Sequence, residues 1–180
     1  HSYFVAALVL LMTRSLGLPP HRLSNNFFAA LFHDLPEAVT RDIISPVKQA
    51  TDHLPEVVKH IEDEIVAQEL LPLMDAYYRE DVLYFIQHEF ENRIKLNGTV
   101  QCVSADALNN EYAAPQFYGI DGKLIRAADH IAAFVEADSS IRFGIRSDQL
   151  EEGRANILQR YGRNTVINGL ALDGFFESYR

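Results

Sequence analysis

The sequence contains no tryptophan, only one cysteine and no apolar run of membrane-spanning length. The single cysteine, Cys102, cannot form an internal disulfide, so we expect a reducing, cytoplasmic location. The longest apolar run, residues 3–12, is too short to cross a bilayer, and no small-residue cleavage site follows it. These absences argue against a membrane partner and against a signal peptide.

Basic residues are also scarce, since 16 Lys and Arg are outnumbered by 25 Asp and Glu, and the formal net charge is −9. Binding to a nucleic acid polymer needs clustered cations, so we do not expect such a partner. A small phosphorylated substrate remains compatible, because one bound metal ion inverts the local charge. The 180 residues, 48% of them hydrophobic, suit one domain over 1–180.

The apolar spacing predicts helices throughout and no strands, which indicates an all-α fold. The predicted helices cover residues 1–16, a second run from Ser24 or Asn25 to Asp34, a short turn at 37–40, and then 55–71, 78–96, 123–137, 148–161 and 164–178. Residues 99–121 lack this periodicity and contain many turn formers. They predict an irregular loop insertion, which is either a lid or binding loop or a tolerated surface insertion.

The most unusual stretch is 31–37, where His33, Asp34 and Glu37 follow an apolar helical run. Adjacent imidazole and carboxylate groups are costly in a packed core but suit a divalent cation. His1 and Asp129 are further candidates on predicted apolar helices. Together, His1, His33, Asp34 and Asp129 offer a nitrogen and oxygen donor set for one divalent transition metal, namely Zn, Mn, Fe, Co or Ni.

Simpler roles are open for each of these residues. His33 could be a hydrogen-bonded core histidine, and His1 could be a cloning remnant. Asp129 could pair with Arg126 or Lys123. Glu37 could complement a helix dipole after Pro36.

The ordered set resembles the HD-domain metal-dependent phosphohydrolases, in which a His, a His-Asp pair and a distal Asp lie on separate helices. His1-Ser2, His33-Asp34 and the 126–129 stretch Arg-Ala-Ala-Asp are similar to these three motifs. The resemblance implies an HD-domain-like helical bundle. It also implies a metal-dependent hydrolase acting on phosphate ester bonds, with His1, His33, Asp34 and Asp129 as its metal ligands.

Residues 33–42 and the 45–48 stretch Ser-Pro-Val-Lys are similar to the 5′-deoxynucleotidase branch, which hydrolyses nucleoside 5′-monophosphates. The resemblance implies a catalytic role for Glu37 in handling water, and contact of Asp42 with the substrate or the attacking water. Lys48 could meet the phosphate or bridge to an acid, and Asp42 could instead form an Asx-turn. A carboxylate near a bound cation can orient or deprotonate the attacking water.

Three alternatives stay open: a phosphodiesterase, a guanosine tetraphosphate pyrophosphohydrolase, and a non-catalytic nucleotide- or metal-binding module. Ala38 stands where the guanosine tetraphosphate branch usually carries a second acid. Members of the nucleotidase branch usually carry a basic and an aromatic residue upstream of the first His, and since nothing precedes His1 in this sequence, we expect their contacts to be missing or supplied elsewhere. Dimerisation is common in the family, which implies a homodimer as an alternative to a monomer.

Overall fold

A computed structural model describes residues 1–40, 54–161, 164–177 and 179. The chain divides into two compact units. The larger unit comprises His1–Leu31 with His88–Arg180, and the smaller unit is Phe32–Gln87. The expectation of a single domain stays a prediction.

Helices make up most of the described chain and, in order, they are α1 (Ser2–Ser15), α2 (Pro20–Phe32), α3 (Glu37–Thr40), α4 (Leu54–Ile65), α5 (Ala76–Ile86), α6 (Ala105–Asn110), α7 (Gly122–Arg142), α8 (Asp148–Arg160) and α9 (Asp173–Glu177). A π-helical segment, Val66–Leu70, and a 3₁₀ turn, Leu71–Leu73, continue α4, and a second 3₁₀ turn covers Pro115–Phe117. The all-α class predicted from the sequence is confirmed. None of the helices in the described ranges has the length and hydrophobicity that a bilayer span requires.

Short strands occur as well, so the prediction that no strand exists was wrong. They are β1 (Asn92–Leu96), β2 (Thr99–Cys102), β3 (Ile120–Asp121), β4 (Val166–Ile167) and β5 (Leu170–Ala171). The first three form an antiparallel sheet in the order β2-β1-β3, with Arg93 opposite both Cys102 and Ile120. The last two form a separate antiparallel hairpin.

The helix predicted over 78–96 is therefore two elements. Helix α5 ends at Ile86, and the chain turns before entering β1 at Asn92. Asn97 and Gly98, which resemble a helix stop, form the β1–β2 turn with φ values of 52° and 78°. Positive φ at both central residues is the geometry that Asn-Gly favours in a two-residue hairpin.

The 99–121 segment is not an irregular loop, because it contains β2, α6, a 3₁₀ turn and β3. The buried Arg22 binds this segment at two points, Leu108 and Asp121. Its Nη2 donates to Asp121 Oδ2 at 2.6 Å, and its Nη1 donates to the Leu108 carbonyl at 3.0 Å. Asn26 Nδ2 also donates to Asp121 Oδ2, at 2.8 Å. This network makes the segment an ordered part of the larger unit.

Two other predicted boundaries also differ. Helix α2 begins at Pro20 and not at Ser24 or Asn25, since proline suits the first helical position, where its missing N–H is not needed. The helix predicted over 164–178 is the β4–β5 hairpin followed by the short α9. Asn168 and Gly169 turn this hairpin with φ values of 47° and 89°.

The core of the larger unit lies where α7 packs against α1 on one side and α8 on the other. Helix α1 contributes Val5, Ala6 and Val9, which are fully buried. Helix α7 contributes Ala128 and Ala132, also fully buried, whose small side chains let another backbone approach closely. Burial of one valine or leucine side chain stabilises a fold by about 1.5–3 kcal/mol, so this contact holds the two helices in register.

The smaller unit has its own core, formed by Val66, Leu70, Met74, Val82 and Ile86. Partly buried side chains pack against it, namely Phe32, Leu35, Val39, Leu71 and Leu83. The segment after α2 is thus anchored through Leu35 and Val39. These are four residues apart and so lie on one side of the turn and short helix that contain them.

Candidate metal centre

In the larger unit, the packing of α1 on α7 brings His1 to Asp129. His1 is the N-cap residue of α1, and Asp129 lies in the middle of α7. The Nε2 atom of His1 is 2.8 Å from Asp129 Oδ1, although 128 residues separate the two in the sequence. Lys123, one of the two alternative partners considered for Asp129, pairs instead with Glu91. Its Nζ atom lies 2.7 Å from Glu91 Oε1.

Glu136 is a third member of this cluster that the sequence did not reveal. It lies seven residues after Asp129 on α7, which is close to two helical turns and places both carboxylates on one face. Both oxygens of Glu136 are 3.1 Å from His1 Nδ1. The imidazole therefore has one carboxylate at each ring nitrogen. The seven-residue spacing was the available signal, but nothing in the sequence showed that His1 would lie above it.

The surroundings of His1 act on its pKa in opposite directions. Partial burial lowers the pKa, while the hydrogen bonds to Asp129 and Glu136 raise it, and the net result lies above the usual value of 6.5. In the metal-free protein the two acids thus shift the ring toward its protonated form, in which it donates an N–H to each of them. A cation shared by Nε2 and Asp129 would take the place of one proton, which is how His and carboxylate ligands couple metal binding to pH.

In the smaller unit, His33 and Asp34 follow directly after α2. His33 is only 4% exposed, and its Nε2 atom lies 3.1 Å from Asp34 Oδ1. Asp34 is half-buried, with 34% of its side chain exposed. This pair also presents an imidazole nitrogen and a carboxylate oxygen together.

Glu37 is held on the same side of the chain as Asp34. The backbone N–H of Glu37 donates to the Asp34 carbonyl at 3.0 Å, and that of Ala38 donates to the Leu35 carbonyl at 3.1 Å. These are i to i+3 bonds, in which residues three apart lie over one another. Leu35 and Val39 pack on the core of the smaller unit. Glu37, two residues from each of them, is therefore directed away from that core. The remaining predicted site residues, Asp42 and Lys48, lie outside the described residues.

His130, the neighbour of Asp129 on α7, contacts the end of α8. Its Nδ1 atom is 2.6 Å from the hydroxyl oxygen of Tyr161. Burial lowers the pKa of His130, and the charges of Arg160 and Arg126 lower it further against the opposing effect of Asp129. The ring is thus held neutral near pH 7 and packs between α7 and α8.

The protein is thus an all-α protein with a His/Asp cluster whose nitrogen and oxygen donors fit a divalent transition metal. The HD domain family model matches residues 1–158, and the chain belongs to this family. HD domains bind divalent metal ions and are typically metal-dependent phosphohydrolases. Comparison with curated proteins and with solved structures finds no significant match.

Proposed function

We propose that this HD domain is a phosphomonoesterase that hydrolyses nucleoside 5′-monophosphates. The observation that carries the proposal is the pairing of His1 with Asp129 at 2.8 Å, because it joins the first and last members of the ordered motif. The resemblance of residues 33–42 to the 5′-deoxynucleotidase branch supports this choice of substrate over the phosphodiesterase and pyrophosphohydrolase alternatives.

The proposed metal ligands are His1, His33, Asp34 and Asp129. Two imidazoles and two carboxylates suit a divalent transition ion, and a set without cysteine is unlike most structural zinc sites. When bound, such an ion supplies positive charge that offsets the charge on the phosphoryl oxygens and acidifies water.

The proposed catalytic residues are Glu37 and Asp42. Glu37 is fixed one turn from Asp34 by the i to i+3 bonds, so its carboxylate can orient the attacking water and accept its proton. Asp42 assists by contacting the substrate or this water, and Lys48 binds the phosphate. These two roles rest on the family resemblance.

Metal analysis of the purified protein is the first experiment. We expect about one divalent ion per chain in the wild type and a strong loss in His33→Ala and Asp129→Ala. His60→Ala is the matched control, because the His60 side chain is 75% exposed and pairs with Glu64, four residues on. If the two ligand variants retain as much metal as His60→Ala, the proposed ligand set is wrong.

A substrate screen with chromatographic analysis of the products identifies the reaction. A phosphomonoesterase releases phosphate and the nucleoside, whereas a phosphodiesterase converts a cyclic nucleotide to the monophosphate and a pyrophosphohydrolase releases pyrophosphate from guanosine tetraphosphate. The screen should cover nucleoside monophosphates and diphosphates, cyclic nucleotides and guanosine tetraphosphate, each with the metal that the protein retains. Release from the monophosphates alone supports the proposal, while turnover of cyclic nucleotides or of guanosine tetraphosphate selects one of the other enzymes. No turnover by the metal-loaded protein would favour the non-catalytic binding module.

A further inference from the structure

A cavity of about 390 Å³ lies in the larger unit, between the N-terminal half of α7, the end of α8 and the β4–β5 hairpin. Three cationic side chains line it, namely Lys123 and Arg126 on α7 and Arg160 at the end of α8. The rest of the wall is formed by Tyr161, Thr165, Val166, Ile167 and Asn168. None of the proposed metal ligands lines this cavity.

The positive charge of the cavity is only partly neutralised. Lys123 forms an ion pair with Glu91 at 2.7 Å. Among the described residues, no carboxylate forms an ion pair with Arg126 or Arg160. Arg126 instead lies over the ring of Phe90, with its guanidinium carbon 5.0 Å from the ring centroid. Two guanidinium groups thus share one cavity in a chain with a formal net charge of −9.

Other contacts hold the rest of the cavity wall in place. Asn168 Nδ2 donates to Asn92 Oδ1 and to Asp121 Oδ1, each at 2.9 Å, which ties the β4–β5 turn to the sheet. Tyr161 is 5% exposed, and its ring stacks on Phe176 with the planes 7° apart. These contacts fix the positions of Asn168 and Tyr161 in the wall of the cavity.

We propose that this cavity binds the phosphoryl group of a small phosphorylated molecule. Arginine presents a planar fork of N–H donors that pairs with phosphate oxygens in a bidentate manner, and Lys123 adds a third cation at the rim. A volume of about 390 Å³ lies in the range of small-molecule sites. The inference does not rest on the proposed hydrolase activity, because the arginines are present whether or not the metal site is catalytic.

The test is calorimetric titration of the chelator-treated 180-residue protein with inorganic phosphate, AMP and adenosine at low ionic strength. We expect phosphate and AMP to bind and adenosine to bind much more weakly. Arg126→Gln and Arg160→Gln should each weaken the binding of AMP by roughly tenfold or more, as expected for the loss of a charge-assisted hydrogen bond. Arg146→Gln is the matched control, since it removes the same charge from an exposed position outside the cavity.

Three results would overturn the proposal: no binding of phosphate to the wild type, equal weakening by Arg146→Gln, or unchanged binding in both cavity variants. Circular dichroism must first show that the variants are folded. His33→Ala separates this proposal from the metal site. Loss of phosphate binding in His33→Ala, with the arginine variants unaffected, would place the phosphate elsewhere and refute the cavity while leaving the hydrolase proposal intact.

The same variants, assayed in the metal-loaded protein, show whether the cavity binds the substrate or a separate phosphorylated molecule. If Arg160→Gln raises KM for a nucleoside monophosphate, the cavity binds the substrate. If KM is unchanged while AMP binding to the chelator-treated protein is weakened, the cavity binds a separate phosphorylated molecule. Either result supports the site.

Discussion

Glu136 is predicted to position His1 for metal binding, and Glu136→Gln is the substitution that tests this role. Both carboxylate oxygens of Glu136 are 3.1 Å from His1 Nδ1, and Nε2 is the nitrogen directed at Asp129. An acceptor at Nδ1 keeps the proton on that nitrogen and leaves Nε2 able to bind a cation. The glutamine variant keeps the size of the side chain and removes its charge.

The size of the effect follows from the exposure of the pair. Loss of such a carboxylate partner typically costs 10–100-fold in metal affinity. Glu136 is 51% exposed and His1 is 31% exposed, so water screens the interaction and the lower end of the range applies. We expect Glu136→Gln to weaken metal binding roughly tenfold. Glu136→Ala should weaken it somewhat more, because the acceptor is then lost altogether.

The assay is competition for Zn²⁺ or Mn²⁺ against a chromophoric chelator at fixed pH, with thermal melting to verify folding. Glu152→Gln serves as the control, because it makes the same change at an exposed position on α8. Unchanged affinity in both Glu136 variants would refute the positioning role. A wild-type protein that binds no metal would instead refute the proposed ligand set.

Three further substitutions and one control, Lys123→Met, test other parts of the structure. Glu37→Ala should keep its metal and lose roughly 10²-fold or more in turnover, measured by phosphate release, and unchanged turnover would remove Glu37 from the mechanism. Arg22→Met removes the buried cation that pairs with Asp121 and should lower the free energy of unfolding in urea by about 3–5 kcal/mol. Lys123→Met, which breaks an exposed pair, should cost at most about 1 kcal/mol. The pKa of His130 is lowered by folding, so below pH 6.5 the unfolded chain binds a proton that the folded chain resists. His130 should therefore contribute a loss of stability to the chelator-treated protein as the pH drops below about 6.5, while His1, whose pKa is raised, contributes in the opposite direction. Thermal melts should show that His130→Gln loses less stability than the wild type over this pH range, and an identical pH dependence in both would contradict the assignment.

The helices that the sequence predicted well are those whose signals are local. Helix α1 is apolar and ends before Gly17, and α8 begins where Asp148 and Glu151 stand in its first turn. Such signals act within a few residues, so they can be read without knowing the partner. The all-α class and the adjacent His33-Asp34 pair were predicted from local signals of the same kind.

Strand β1 was assigned wrongly because its signal is not local. Leu83 and Ile86 have helical spacing, and Asn97-Gly98 is equally compatible with a helix stop and a hairpin turn. What makes residues 92–96 a strand is pairing with β2 on one side and with β3, 24 residues further on, on the other. The apolar periodicity of residues 78–96 gives no information about that pairing.

The sequence by itself determined which residues are suited to chemistry. An imidazole beside a carboxylate, followed by an acid one turn later, is a local pattern whose chemical meaning does not depend on the rest of the chain. His33, Asp34 and Glu37 could therefore be identified from the order of residues. Their identification as metal ligands and catalytic acid remains a prediction.

Only the tertiary structure decided which distant groups meet. Glu136 contacts His1 because α1 packs along α7, and Arg126 shares a cavity with Arg160 because α8 packs back on the same helix. In both cases burial of apolar side chains between helices sets the distance between polar groups at their edges. That burial is summed over the whole helix–helix contact, so no short stretch of sequence contains it.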